Sequence, residues 1–196
     1  MPHPMITTET IKELRDKTGI SIMQCKKALE EAGGDMEKAI IMLKKKSGEI
    51  AAKKGDRALG SGAVASYIHS TGSVGGMVVL SAETDFVAKN EEFRKLAYDI
   101  AMHVVALNPE YLSSKDIPEE AKAKARDAFR GEVKDKPAPM QEKILDGKLA
   151  SYFGERTLLD QRYVKNPEIT IQGLVEQAVQ KFGERIEVSQ FIRFSA

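Results

Sequence analysis

The sequence predicts an α+β protein, in which an amino-terminal bundle of three helices precedes a core of a three-stranded antiparallel sheet with packed helices. Three observations predict this fold class. Within the first fifty residues, apolar side chains recur at three- and four-residue intervals, as on amphipathic helices. Apolar runs on either side of the turn residues 70–73 indicate a hairpin. The segment 186–194 alternates like one more strand, and the intervening segments are helical in pattern.

The first three helices are predicted from their ends. Thr8 is the predicted cap of the first helix, which ends at Thr18–Gly19, where glycine suits a left-handed backbone. Ser21 and Gln24 predict a capping box that opens the second helix, and Asp35 caps the third. The predicted core stripes of the three helices are Ile11 and Leu14; Cys25, Ala28, Leu29 and Ala32; Met36, Ala39, Ile40 and Leu43.

A basic linker is predicted between two domains. The expected division is a three-helix domain at 1–47, a linker at 48–59 and a core and dimerisation domain at 60–196. Six basic residues stand between Lys44 and Arg57, against two acidic ones. A solvated hinge helix accounts for this charge better than a nucleic-acid surface, because the segment has no aromatic residue on which bases could stack.

The core elements are predicted from alternation and capping. Asn90 is a good cap for a helix that stops at Asn108–Pro109, and Gly183 is expected to close a later core helix. The segment KDKPAP at 134–139 reads as a break. The predicted strands are Ala63–His69, Gly75–Ala82 and Ile186–Phe194, and the predicted later helices are Pro118–Arg130, Met140–Phe153 and Ile171–Phe182. In the last strand, Ile186, Val188, Ile192 and Phe194 are expected to share a face.

Charge and hydropathy exclude several classes of protein. Thirty basic and 29 acidic residues give a net charge of +1, so no bulk field favours nucleic acid or an anionic membrane. The apolar runs are far shorter than the roughly 20 residues that cross a bilayer, and the amino terminus does not resemble a secretion signal. We therefore expect a cytoplasmic protein that binds neither a membrane nor a specific nucleic acid.

No enzyme site is predicted. One cysteine, Cys25, and three scattered histidines, His3, His69 and His103, have no zinc-binding spacing, and neither a metal nor another cofactor is expected. Phosphate-binding loops, nucleophile elbows and HExxH are absent from the sequence. Cys25 lies on the apolar face of its helix, which favours a core residue over a nucleophile.

The segment AETDFVAKN at 82–90 is unusual for a connection between a strand and a helix. It places Phe86 beside Asp85, whereas connections usually lie on the surface and carry polar residues. The phenylalanine therefore either fills the local core or projects toward a partner.

Two stretches resemble the elongation factor Ts family. LRDKTGISIMQCKKALEEAGGDMEKAIIML at 14–43 is similar to the family's ubiquitin-associated-like amino-terminal domain, and ETDFVAKNEEF at 83–93 to its other signature. His103 in AMHVVALNP has a matching context, and the similarity continues through IPEE at 117–120 and EKILDGKL at 142–149. The resemblance covers nearly the whole chain.

The resemblance implies guanine-nucleotide exchange on elongation factor Tu, the GTPase that brings aminoacyl-tRNA to the ribosome. It implies that the three-helix domain docks on the GTPase and that a wedge intrudes near the magnesium and phosphate site. The residues matching the docking positions are Leu14, Arg15, Thr18, Gly19, Cys25 and Lys26, and those matching the wedge are Thr84, Asp85, Phe86 and Val87.

One departure from the family pattern concerns TLLDQRYVKN at 157–166, where Arg162 and Tyr163 replace a proline-containing run and alter the expected local turn. A single core subdomain, with sheet surface left to cover, predicts a homodimer formed by the core sheet without a disulfide. Two alternatives stay open at this point: a protein-binding module without exchange activity, in which Phe86 is a core residue, and an RNA-binding translation factor that uses Lys44–Arg57.

Overall fold

The computed structural model describes residues 6–134 and 137–196, so His3 and the centre of the predicted break at 134–139 lie outside the described residues. None of the described helices is long and apolar enough to cross a membrane. The helices are α1 (Thr8–Thr18), α2 (Ile22–Glu31), α3 (Met36–Lys53), α4 (Asp85–Ala88), α5 (Glu91–Leu107), α6 (Glu119–Arg130), α7 (Ala138–Gly154) and α8 (Ile171–Phe182). The strands are β1 (Ser61–Ile68), β2 (Val74–Ala82), β3 (Arg162–Tyr163), β4 (Asn166–Thr170) and β5 (Ile186–Ser195).

The fold class is α+β, as predicted: amino-terminal helices precede an antiparallel sheet with the strand order β1-β2-β5. The predicted hairpin turn is present, with the amide of His69 donating to the carbonyl of Val74 at 2.9 Å. A second, two-stranded sheet pairs β3 with β4. It was not predicted, because its strands are too short for alternation to show.

The chain forms two compact units. The first contains the described residues up to Ala65 together with Val78–Tyr98 and Gln172–Ser189, and the second contains Ser66–Met77, Asp99–Ile171 and Gln190–Ala196. The predicted division at 1–47, 48–59 and 60–196 stays a prediction.

The helix ends in the first unit follow local side-chain chemistry. Thr7, not Thr8, caps α1: its backbone is extended, and it exchanges two hydrogen bonds with Thr10 in a capping box. Thr8 is already helical and so cannot be the cap. Gly19 has φ 68° at the carboxyl end of α1, and Asp35 accepts from the amide of the third helical residue of α3, both as predicted.

The predicted capping box on α2 is half formed. Ser21 Oγ accepts from the amide of Gln24 at 3.4 Å, but the side chain of Gln24 does not reach back. Its Oε1 instead accepts from Gln180 Nε2 of α8 at 2.5 Å. The contact to α8, 156 residues away in sequence, replaces the local bond.

Helix α3 extends beyond the predicted bundle. It runs to Lys53, and Ser47 in its second half is buried and donates to Gln180 of α8. Lys54 Nζ donates to the carbonyl of Gly183 at 2.8 Å. Half of the predicted linker is therefore helical, and the segment ends in contact with the turn that follows α8.

The predicted apolar face of β5 is buried in the first half of the strand and exposed in the second. Ile186 and Val188 are buried, but Arg193 Nε donates to the carbonyl of Val105 in α5. Arg193 therefore points to the α5 side of the sheet, and alternation places Ile192 and Phe194 on the opposite side, exposed to solvent.

Candidate partner-binding site

The turn between β2 and α5 projects an aromatic side chain into solvent. Helix α4 is a single turn, in which Val87 and Ala88 are buried while Phe86 is 81% exposed. The alternative in which Phe86 fills the local core does not hold in this structure. We call residues Glu83–Asn90 the wedge turn; Asn90 ends it by accepting from the amide of Glu92 at the start of α5.

Asp85 next to Phe86 is an exposed, paired carboxylate. Lys89 Nζ lies 2.6 Å from Asp85 Oδ2, one turn along α4. This hydrogen bond and the charge of Lys89 lower the pKa of Asp85, and the backbone amides at the start of the helix act in the same direction. The wedge turn therefore presents an ionised carboxylate beside a large apolar ring.

A groove of about 490 Å³ adjoins the wedge turn in the same unit. Residues 61–65 of β1 form one wall, and Asp85, Ala88, Lys89 and Arg94 form the other. The groove is therefore lined by two cations, Lys89 and Arg94, by the carboxylate of Asp85, and by apolar residues that include the exposed Val64.

Long-range hydrogen bonds hold the base of the wedge turn. Thr84 donates its amide to Glu184 Oε2 at 3.0 Å and its hydroxyl to Glu184 Oε1 at 2.6 Å. Glu83 Oε1 accepts from the amide of Arg185 at 2.5 Å and from Arg57 Nη1 at 3.2 Å. The amide of Arg185 and, to a lesser degree, the Arg57 side chain lower the pKa of Glu83, whereas desolvation opposes them.

The residues predicted for docking divide into buried and exposed ones. Leu14, Thr18 and Cys25 are buried, and Thr18 Oγ1 donates to the carbonyl of Leu14 at 2.7 Å and lies 3.8 Å from Cys25 Sγ. These three support the turn between α1 and α2 instead of presenting atoms to solvent. Arg15 and Lys26 are exposed, and their contact with a partner stays a prediction.

Two exposed apolar residues near this turn were missed at the sequence level. Ile22 and Met23, in the first turn of α2, are 55% and 75% exposed. The signal was present in the sequence, since both residues lie off the stripe formed by Cys25, Ala28 and Leu29. We call Ile22 and Met23 the docking tip.

The residues considered for enzyme chemistry have structural environments. Burial raises the pKa of the Cys25 thiol, as expected for a core cysteine. His103 is fully buried; its Nδ1 accepts from the amide of Val164, and its Nε2 lies 3.0 Å from Gln161 Oε1. Both ring nitrogens of His103 therefore have hydrogen-bond partners, as in a structural histidine. In the part of the chain that the structure describes, no group of three His, Cys, Asp or Glu side chains could hold a metal ion.

Comparison with known proteins points to one family. The family model described as elongation factor TS matches residues 5–196. The elongation factor Ts of Thermodesulfovibrio yellowstonii is 48% identical over 190 residues, which cover 96% of this chain and 95% of that protein. The elongation factor Ts of Carboxydothermus hydrogenoformans is 46% identical, with 97% and 88% coverage, and that of Thermosipho melanesiensis is 45% identical, with 97% and 98% coverage.

Proposed function

Since the chain belongs to the elongation factor Ts family, we propose that it binds elongation factor Tu and promotes release of GDP during translation elongation. The observation that carries this proposal is the exposure of Phe86 beside Asp85 within the family signature. An exchange factor catalyses no covalent step, which suits a protein whose candidate site is a projecting surface. We infer that it acts in the cytoplasm and needs no cofactor.

The energetic demand on such a factor is large. A GTPase that holds GDP at about nanomolar affinity and binds it at about 10⁶ per molar per second releases it in roughly a thousand seconds. Accelerating release by about 10⁴ requires roughly 5.5 kcal/mol of preferential binding to the nucleotide-free partner. Burying one phenylalanine side chain contributes about 1.5–3 kcal/mol, so the wedge must act together with other contacts.

The mechanism follows from the groups that the wedge turn presents. Phe86 inserts between side chains of the GTPase, and Asp85 exchanges its pairing with Lys89 for polar groups of the partner. Both contacts favour a partner whose magnesium and phosphate-binding loops have shifted. The coupling between nucleotide and exchange-factor binding is reciprocal, so rebinding of nucleotide lowers the affinity of the GTPase for the exchange factor.

Docking by the three-helix, ubiquitin-associated-like domain supplies the remaining contacts. The docking tip gives two apolar side chains, and Arg15 and Lys26 flank it with positive charge. Gly19 and the buried Thr18 fix the turn that presents them. We propose that this surface, more than the buried members of the predicted docking set, contacts the GTPase.

Release of fluorescent GDP from elongation factor Tu, with and without the protein, tests the proposed function. We expect release to accelerate by several orders of magnitude and to saturate with protein concentration. Binding without acceleration would support the non-exchanging module instead. Binding of RNA that weakens steeply with salt would support the RNA-binding alternative.

We also propose a homodimer formed through the second unit. Ile68 lies over Gly75, with its Cδ1 2.5 Å from the position of a Cβ there, so alternation puts Ile68 and Met77 on one face. Ile192 and Phe194 lie on that same face, away from α5. All four are exposed, and a second copy of this chain would cover them.

The dimer is expected to be non-covalent, because Cys25 is the single cysteine of the sequence and is buried. A standard interface of about 800 Å² per partner suffices for stable association. Light scattering in reductant should give twice the chain mass of 21.6 kDa. Phe194→Asp should shift the species toward the single-chain mass, and a wild-type mass of one chain would contradict the dimer.

A further inference from the structure

We propose that Glu184 is a positioning residue for nucleotide exchange, which holds the wedge turn in the conformation that presents Phe86. This inference rests on the proposed function and assigns a role to a residue outside the wedge. Glu184 lies in the turn between α8 and β5, directly after Gly183, whose φ is 73°. It is 100 residues from Thr84 in sequence.

Both carboxylate oxygens of Glu184 accept hydrogen bonds from one residue of the wedge turn, Thr84. One oxygen accepts the amide of Thr84 and the other its hydroxyl. Thr84 occupies the cap position of α4, with extended backbone, yet its side chain makes no capping hydrogen bond to the helix. The hydroxyl that caps a helix in the usual arrangement is here committed to Glu184.

The arrangement is reciprocal. While Glu184 accepts from the backbone of Thr84, Glu83 accepts from the backbone of Arg185. We call these four residues, Glu83, Thr84, Glu184 and Arg185, the bracket. It joins the turn before α4 to the turn before β5 by hydrogen bonds to charged acceptors, which are the stronger kind.

The segment at the end of α3 also makes hydrogen bonds to the bracket and to Gly183. Arg185 Nη1 donates to the carbonyl of Arg57 at 2.5 Å, and Arg57 Nη1 reaches Glu83. Lys54 Nζ donates to the carbonyl of Gly183. The segment that follows α3 therefore ends in contact with the bracket, within the first unit.

The wedge turn needs these contacts because α4 is not stable by itself. A helix of four residues is far below the length that is stable alone. Phe86 is exposed and has little packing of its own to fix it. Buried Val87 and Ala88 anchor one side of the turn, and the bracket fixes its entry. A turn that is ordered before binding loses less conformational entropy when the partner arrives.

The test measures GDP release from elongation factor Tu as a function of exchange-factor concentration. Glu184→Ala should lower the plateau rate about tenfold, with the half-saturating concentration changed by less than about twofold, because the docking tip is untouched. Glu155→Ala, which removes an exposed carboxylate in the second unit, is the matched control and should change neither quantity.

Hydrogen exchange of the free protein gives a second, independent readout. In Glu184→Ala, amides of residues 84–88 should exchange faster, while those of β2 and α8 keep their protection. Wild-type exchange rates at 84–88, or an unchanged plateau rate, would overturn the positioning role. A wild-type protein that fails to accelerate GDP release would instead contradict the proposed function itself, and the positioning role with it.

Thr84 variants keep the inference testable should Glu184→Ala lower the melting temperature. Thr84→Val removes the hydroxyl donor and should lower the plateau rate and speed exchange of the amides at 84–88, the same two changes that are expected of Glu184→Ala. Glu184→Gln should lower the plateau rate less in the Thr84→Val protein than in wild type, because the two residues act through one contact. Additive losses would overturn the proposal.

Discussion

The wedge turn and the turn between α1 and α2 both present an exposed apolar side chain in the first turn of a helix, but they are stabilised differently. The second is held mainly by local contacts: Gly19 supplies the left-handed backbone, Ser21 caps α2, and Thr18 Oγ1 donates to the carbonyl of Leu14. One distant bond, from Gln180 of α8 to Gln24, adds to them. The wedge turn is held by Glu184, which is distant in sequence. A turn held by its neighbours keeps its shape when distant elements change, whereas the wedge turn depends on the α8–β5 connection.

The largest expected effect is a difference in stability between substitutions of Phe86, in the wedge turn, and Phe93, in α5. Phe93 is fully buried and contacts Phe182 edge to face, with ring centroids 6.1 Å apart. Phe93→Ala should cost about 3–5 kcal/mol of the free energy of unfolding, whereas Phe86→Ala should cost less than about 0.5 kcal/mol. Denaturant titration compares them directly. A large loss of stability in Phe86→Ala would mean that the ring packs on its own protein.

Much of this arrangement was predictable from sequence, and the reason lies in the range of the interactions. The cap at Asp35, the ends of α8 and the left-handed Gly19 depend on neighbours within four residues, and the sequence predicted them. The bond from Gln24 to Gln180 and the bracket join residues more than 90 positions apart, which no local pattern reveals. The family resemblance pointed to the wedge but not to its support.

The glycine in the local turn gives the next effect. Gly19 has φ 68° and no neighbouring atom within 4 Å of the place that a Cβ would occupy, so Gly19→Ala suffers from backbone strain alone and should cost about 1–2 kcal/mol. Gly147 within α7 also has open space, but its helical backbone suits alanine. Gly147→Ala should therefore stabilise by about 0.5–1 kcal/mol. Thermal unfolding of both variants should show shifts of opposite sign; shifts of the same sign would contradict this account.

The docking tip is expected to affect affinity without affecting the exchange step. Met23→Ala should raise the half-saturating concentration about tenfold and leave the plateau rate of GDP release unchanged, because an exposed side chain lost from docking removes binding common to both states. Met140→Ala, another exposed methionine, is the control and should match wild type. A lower plateau rate in Met23→Ala would remove the distinction between docking and wedge.

A smaller effect is expected from pH, and it belongs to the second unit. Burial lowers the pKa of His103, and its hydrogen bond to Gln161 opposes this only in part. The unfolded chain therefore binds a proton at His103 more readily than the folded chain does. The stability that depends on neutral His103 is fully present above pH of about 6.5, and it is lost as the pH falls toward the lowered pKa of the folded protein. Unfolding titrations from pH 7 to 5 should show the decline, and His103→Gln should flatten it; an equal decline in that variant would contradict the assignment.

Stepwise truncation of the exposed ring tests whether Phe86, on its bracketed turn, drives nucleotide release. GDP release from elongation factor Tu is followed at saturating concentrations of wild type, Phe86→Leu and Phe86→Ala. We expect the plateau rate to fall in that order, by about tenfold or more for alanine, because apolar area buried against the partner is lost stepwise. All three proteins should show the same melting temperature. Equal plateau rates for wild type and Phe86→Ala would contradict the claim.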